Sequence, residues 1–355
     1  MRPAFLLPLL LVATPAQGAS DRAPLTIFYT SNTLGETKAC GCGEGMLGGL
    51  ARRTTVIARE RADHAPVLLL DAGNTFFISP EIPKHLAKEA LQKASRIADV
   101  YRQLRYDAVL AGENDAPLPE EAKKGIPFLA GDGSALLVER DGWRVAVFGY
   151  RSSFLTPEGR AKTDSARQKL AVDLKTKLQQ AILKKEKEAD LTVLLIAAPE
   201  QERDEVVKSL SGIDLAICGY TGQLLWEPVQ QGDTLLFEAG ERGQYLGRIQ
   251  VQRASEASGK KEPLSALNQA PRLKMAKELK FVEQELRRYR EAPTEKPGIE
   301  DKDPAEELEI VEHREADLDA KLASLHAMPQ NWYAHNLVPL SESIPDDDAV
   351  AKILK

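Results

Sequence analysis

Three short apolar runs end in side chains that carry oxygen. Leu25 to Thr30 leads into Ser31-Asn32-Thr33-Leu34-Gly35, Val67 to Leu70 into Asp71-Ala72-Gly73-Asn74, and Ala108 to Leu110 into Ala111-Gly112-Glu113-Asn114-Asp115. Carboxylates and imidazoles gathered at the ends of adjacent buried strands hold pairs of divalent ions such as Mn, Zn or Fe. Two such ions side by side activate water and clamp a phosphoryl group. Here the donors are poor ones. Asn32 and Asn74 offer neutral amides, a weaker ligand than a carboxylate, and Leu34 offers no donor at all.

A second set of reactive side chains is the cysteines. Cys40 and Cys42 flank Gly41 in a glycine-rich loop, and Cys218 ends an apolar run far downstream. Three cysteines leave one unpaired, and a Cys40 to Cys42 bridge would close a very small ring. Cys218 is therefore expected to pair with one of the two. A disulfide lock, a soft-metal thiolate site and a redox relay all remain open for this group. Arg52 and Arg53, beside a predicted helix start, read either as an anion site or as partners of carboxylates such as Glu44 or Asp71.

These residues sit in a chain of 355 residues, enough for one large core and an appendage. With 43% hydrophobic and 28% charged residues it has an ordinary globular composition. A net charge of -6 provides no concentrated basic face for nucleic acid, and few aromatics are available to stack bases. Arg2, the apolar run Ala4 to Ala13 and Ala16-Gln17-Gly18 have the form of a signal peptide over residues 1–18, so export to the periplasm or the extracellular space is expected. No cysteine stands at the expected cleavage point, which predicts no lipid anchor there. No later run approaches the roughly 18 apolar residues of a membrane span.

Apolar runs ending in Gly or Asn predict buried strands over Thr26–Thr30, Val67–Leu70, Ala108–Leu110, Arg144–Gly149, Thr192–Ala197 and Leu215–Cys218. Helices with polar outer faces are predicted over Gly49–Arg61, Ile82–Leu104, Thr163–Lys187 and Glu200–Leu210. This alternation implies an α/β core over residues 24–253. Asp141-Gly142 marks a hairpin, and Thr234–Glu238 with Leu246–Gln252 predicts an antiparallel element. A polar linker over 254–270 follows. Apolar residues spaced by four and three, Met275 to Tyr289 and Leu308 to Leu325, then predict an antiparallel helical hairpin with a heptad-like seam over 271–328. The tail over 329–355 is expected either to pack back loosely or to serve as a short connector.

The order and spacing of the three strand-end blocks resemble the calcineurin-like metallophosphoesterases, in particular their secreted 5'-nucleotidase branch. The resemblance covers roughly Leu25 to Gln252 and implies a four-layer α/β/β/α sandwich, here with the helical hairpin appended. It also implies a metal site. The first block, normally Asp-x-His, is here Asn32 and Leu34; the second, Gly-Asp, is Gly73-Asn74; the third, Gly-Asn-His-Glu, is Gly112-Glu113-Asn114-Asp115. The fourth block expects a histidine after Ala197, where Ala198-Pro199 stands. The fifth, Gly-His-Ser, is Gly219-Tyr220-Thr221. The last, Ala-His-Glu before Gly-x-Tyr-x-Gly, is Ala239-Gly240-Glu241 before Gly243-Gln244-Tyr245-Leu246-Gly247. All five histidines (His64, His85, His313, His326, His335) fall away from the predicted strand ends and read as surface or helix-packing residues.

The scaffold glycines and tyrosine of these blocks persist while the metal ligands do not. The expectation is an exported, catalytically degenerate relative that binds an unknown protein or small-molecule partner, with no cofactor. An active phosphoester hydrolase using Asn32, Asn74, Glu113, Asn114 and Asp115 with Mn, Zn or Fe is the alternative, and a cysteine-based redox or soft-metal module is a third. The base-stacking C-terminal domain of a 5'-nucleotidase has no counterpart in the charged hairpin, so nucleotide specificity is not implied.

Overall fold

The computed structural model describes residues 22–40, 46–63, 65–160, 162–253, 262–267, 282, 286, 309–317 and 331–355. In chain order its strands are β1 (Leu25–Thr30), β2 (Ala39–Cys40), β3 (Leu47–Gly48), β4 (Val67–Asp71), β5 (Ala108–Leu110), β6 (Phe128–Leu129), β7 (Asp132–Arg140), β8 (Trp143–Arg151), β9 (Leu191–Ala197), β10 (Leu215–Gly219), β11 (Val229–Gln231), β12 (Thr234–Phe237), β13 (Tyr245–Gln252), β14 (Ser265–Ala266) and β15 (Trp332–Pro339). The helices that cover them are α1 (Leu50–Ala62), α2 (Ala87–Leu104), α3 (Glu120–Lys123), α4 (Pro157–Arg160), α5 (Asp164–Lys185) and α6 (Glu200–Ser209).

Two sheets form. One runs β14-β15-β13-β1-β4-β5-β6 and the other β11-β12-β10-β9-β8-β7. Central strands are parallel and buried on both faces, which is why they read as unbroken apolar runs rather than alternating ones. Their alternate residues divide between two cores. Ile27, Tyr29, Leu68 and Leu70 meet Val145, Val147, Leu195 and Ile217 between the sheets. Phe28, Leu69 and Val109 instead pack under α1 and α2, while Phe148, Leu194, Ile196 and Cys218 pack under α5 and α6. The result is the expected α/β/β/α order of layers.

The predicted hairpin closes β7 onto β8 through Asp141 and Gly142, both with positive φ, the signature of a two-residue turn matched to sheet twist. Helix α2 starts five residues later than the periodicity predicts. Leu86 N donates to Pro83 O (2.9 Å), so the residues before Ala87 form a turn instead of a first helical turn. This leaves residues 78–86 beside the rim of the first sheet. Among the described residues no helix is long and apolar enough to cross a membrane.

The C-terminal residues correct the sequence reading. Trp332–Pro339 pairs antiparallel with β13 over eight registered positions, from Gln252 opposite Trp332 to Tyr245 opposite Pro339. The helix Asp348–Ile353 then docks on α1 and α2, capped by Asp347 accepting from Val350 N (2.9 Å). The segment is a structural part of the α/β body, not a connector. Of the predicted linker, Ser265–Ala266 pairs with β15, and Leu267 N reaches Tyr333 O at 2.7 Å. Most of the predicted hairpin lies outside the described residues; Val282 and Leu286 are buried and pack with Val311.

Trp332, Leu337, Leu340 and Val350 are all buried by this segment. At about 1.5–3 kcal/mol per buried side chain, their loss rivals the ~5–15 kcal/mol stability of a whole domain. A chain truncated before Asn331 should therefore lose its cooperative thermal transition, as followed by circular dichroism.

Candidate functional site

Parallel registry brings the strand ends level. Thr30 lies opposite Asp71 and Asp71 opposite Val109, so the chain leaves β1, β4 and β5 at one rim. The exits continue to pair past the strands: Asn32 N donates to Gly73 O (2.9 Å), Leu34 N to Asn74 O (2.9 Å) and Gly35 N to Thr75 O (2.8 Å). Each exit bends sharply. Asn32, Leu34, Asn74 and Tyr220 have φ of 48°, 56°, 56° and 83°. Asn tolerates the left-handed region, whereas Leu and Tyr are strained there by about 1 kcal/mol or more.

Asn32 and Asn74 meet at the centre of this rim. Asn74 Nδ2 donates to Asn32 Oδ1 (3.1 Å), which also accepts from Tyr220 N at 2.9 Å. Asn74 Oδ1 accepts from Asn114 N at 3.1 Å. In each amide a backbone N–H fixes which end is oxygen, so neither can be flipped without opposing two donors. Both side chains are buried, and Asn32 Nδ2 has no partner among the described residues. Gly112 makes the contact possible: a Cβ there would lie 2.2 Å from Asn74 N and 2.4 Å from its Oδ1.

The remaining block residues serve this arrangement. Asp115 accepts from three backbone N–H groups, Thr75 and Phe76 on Oδ1 and Gly112 on Oδ2, at 2.8 to 2.9 Å. Burial raises its pKa to about 6 against the pull of those amides. Glu113 is ion-paired to Arg160, and Asn114 Nδ2 donates to Ile78 O at 3.0 Å. Tyr220 is half-exposed at the mouth, and Gly240 O accepts from Ser31 Oγ at 3.3 Å.

Several residues that organise the rim carry no motif in the sequence. Asp71, fully buried, accepts from Thr30 Oγ1 (2.5 Å), Thr75 Oγ1 (2.7 Å), Gly73 N (2.8 Å) and Tyr101 OH (2.7 Å). Tyr101 stacks on Tyr106 with ring centroids 4.0 Å apart. Across the rim, Glu238 accepts from Thr221 Oγ1 (2.6 Å) and Gln223 N (3.1 Å), with Arg203 at 3.6 Å. Glu238 is wholly buried, and this burial lifts its pKa to about 7. Tyr29 OH lies 2.9 Å from His335 Nε2, so His335 is a half-buried histidine packed on the core rather than a surface one. Burial lowers its pKa to about 4.

The anion reading of Arg52 and Arg53 and the disulfide expected of Cys218 are corrected, while Arg52 does face a carboxylate. Arg53 is buried and donates to the hydroxyls of Tyr101 (3.2 Å), Tyr106 (3.3 Å) and Thr33 (3.2 Å), reaching Asp71 only through Tyr101. Arg52 donates to the carbonyls of Met46 (3.0 Å) and Leu340 (3.2 Å) and lies 3.7 Å from Asp346. Neither presents a free guanidinium to an anion. Cys218 is a free thiol, buried on the helix side of β10 among Leu194, Ile196 and Val206, so it forms no disulfide with Cys40 or Cys42. Burial, with the charge of Glu238, pushes its pKa well above the usual thiol value, the condition of an inert cysteine. Cys42 and the side chain of Cys40 lie outside the described residues.

Solved structures share this architecture. Sulfate thiohydrolase SoxB of Thermus thermophilus, in complex with glycerol, matches over 94% of this chain and 60% of its own, with a TM-score of 0.56 at 14% identity. A 5'-nucleotidase described as putative, from Staphylococcus aureus in complex with alpha-ketoglutarate, matches over 65% and 51%, with a TM-score of 0.50 at 17% identity. The fold is that of the calcineurin-like metallophosphoesterases. This chain spans roughly half to three-fifths of the length of those solved chains. No protein-family model matches the sequence, and no curated protein sequence matches it.

A metallophosphoesterase rim implies a pair of divalent ions, and the donors here do not fit one. Both acceptor sites of Asn32 Oδ1 are taken by N–H groups, Asn74 turns an N–H toward Asn32, and Leu34 is aliphatic. Among the described residues no group of three or more His, Cys, Asp or Glu side chains has metal-holding geometry.

Asn74→Asp would set a carboxylate oxygen against Asn32 Oδ1 and should destabilise the chain by about 1–3 kcal/mol at neutral pH. Its pKa would be raised in the folded state, so stability should return as pH falls and the carboxyl regains a proton to donate. Melting curves of Asn74→Asp against Asn74→Ala across pH 4 to 8 check this, since the alanine variant should show no such recovery. Glu238 has the same sign: its stabilising contribution is present below the ordinary carboxylate range and is lost as pH rises through about 7. Glu238→Gln should therefore lose less stability than the parent between pH 5 and pH 8, measured by thermal melting.

Proposed function

We propose that the protein is an exported, catalytically degenerate relative of the metallophosphoesterases that binds a small-molecule or protein partner at the former metal rim. The observation that carries this reading is the saturation of Asn32 Oδ1 by Asn74 Nδ2 and Tyr220 N. An oxygen committed to two N–H donors has no lone pair left for a cation. The third and fifth blocks point the same way. Asn114 serves as a turn donor, and Tyr220 contributes its backbone N–H. Asp115 spends its oxygens on backbone amides.

Export is supported by the N-terminal pattern of Arg2, the apolar run and Ala16-Gln17-Gly18. The solved structures are described as a sulfate thiohydrolase and as a putative 5'-nucleotidase, so sulfate thiohydrolysis or phosphoester hydrolysis is the activity against which degeneracy is measured.

The test is a melting titration with Mn, Zn and Fe(II) salts alongside chromogenic phosphomonoester and phosphodiester assays. A real site would add about 2.7 kcal/mol at a hundredfold excess over its Kd. The expected outcome is no melting shift and no turnover above the protein-free rate. Stoichiometric metal with metal-dependent turnover would overturn the proposal in favour of an active hydrolase.

A further inference from the structure

Beside the paired amides, the loops after β1 and β4 and the first half of α2 line a half-open cavity of about 230 Å³. Its walls are mainly apolar: Leu34, Phe76, Phe77, Ile78, Ile82 and Leu86. Ile78 and Leu86 leave 65% and 46% of their surface open, although the apolar residues of the last two turns of α2 are buried. The late start of α2 produces this opening, because residues 78–86 wall the cavity instead of continuing the helix.

The walls are held by residues that the sequence places in a metal site. Asp115 Oδ1 accepts from Phe76 N (2.9 Å), Asn114 Nδ2 donates to Ile78 O (3.0 Å), and Gly35 N donates to Thr75 O (2.8 Å). Leu34, held at a left-handed φ of 56°, lines the cavity. Rim charge is balanced. Glu36 lies 3.6 Å from the Arg242 guanidinium, and the remaining two charges, Glu81 and Lys93, are of opposite sign. An ionic ligand would lose hydration there without a net partner.

Size narrows the class further. Apolar cavities of about 150 Å³ take a benzene ring, whereas drug-sized ligands need about 300 Å³ or more. We infer that this cavity binds a neutral ligand by inserting one aromatic or short aliphatic group. The inference rests on the binding-protein reading above and gives its ligand a chemical class.

The test titrates the full chain with the neutral fluorophore N-phenyl-1-naphthylamine. Ile78→Asp places a charge in the wall at an exposed position, and Ala90→Phe fills the cavity from α2. Saturable single-site binding is expected in the parent, weakened at least tenfold by Ile78→Asp and abolished by Ala90→Phe, with melting curves confirming that both variants fold. Absence of saturable binding in the parent overturns the proposal, as does binding that both folded variants retain. Binding that appears only on dilution to monomer assigns the cavity to a second copy and also overturns it. Metal-dependent phosphodiester turnover would sink the binding-protein reading but would leave the fluorophore result standing.

Discussion

The rim of this molecule depends on a contact between two side chains of like type. The turns after β1 and β4 leave their parallel strands side by side, and both bend inward, so Asn32 and Asn74 have to touch. Two carboxylates at that 3.1 Å separation would repel by about 5 kcal/mol at an effective dielectric constant near 20. Such a pair needs a cation or a proton between its members. Two amides need neither, because each brings a donor and an acceptor. Asn rather than Asp at both positions therefore creates no electrostatic demand for metal, although the backbone turns still converge. The same oxygen recruits Tyr220 N from the second sheet, so this contact also fixes how the two sheets meet at the rim.

The strained geometry persists because the layer beneath it leaves no other choice. Asp71 ties Thr30, Gly73, Thr75 and Tyr101 into one knot below the bend, and Tyr101 passes the contact on to buried Arg53. Arg53 in turn holds Thr33, on the turn that carries Asn32 and Leu34. A buried Asp71–Tyr101–Arg53 relay of this kind is weak support for net stability, since desolvation of its two charges opposes it. Its effect is positional. Losing one member would leave the other charge buried without compensation, so the bends are locked by the cost of undoing them.

The β-α alternation was legible because parallel strands buried on both faces give unbroken apolar runs, as in Val67 to Leu70 and Thr192 to Ala197. The C-terminal strand was not. Its inward positions are Tyr333, His335 and Leu337, with Pro339 at the end, so polar atoms interrupt the hydrophobic period that would have marked it. The exchanged block positions were visible residue by residue. What they do instead was hidden, because Asn32, Asn74 and Tyr220 meet only through folding over separations of 42 and 188 residues. Arg52 and Arg53 show the same limit. A helix turns neighbours about 100° apart, and only the distant Tyr101 and Tyr106 decide that one of the two is interior.

The acidic residues of this region hold its loops. Asp71, Asp115 and Glu238 lie around the rim, and each spends its oxygens on hydroxyls or backbone N–H groups of the loops. The guanidiniums of Arg53 and Arg203 sit behind two of them. A carboxylate anchored in this way fixes a loop, whereas one that faces a cation must keep its lone pairs open. The loops so fixed are those that carry Asn74, Phe76 and Tyr220, and one of them forms the wall of the apolar cavity. Rigid walls favour binding because little conformational freedom is lost when a ligand enters. The inward-facing acids and the apolar lining next to them are thus two parts of one arrangement, in which carboxylates fix the loops whose apolar side chains line the cavity.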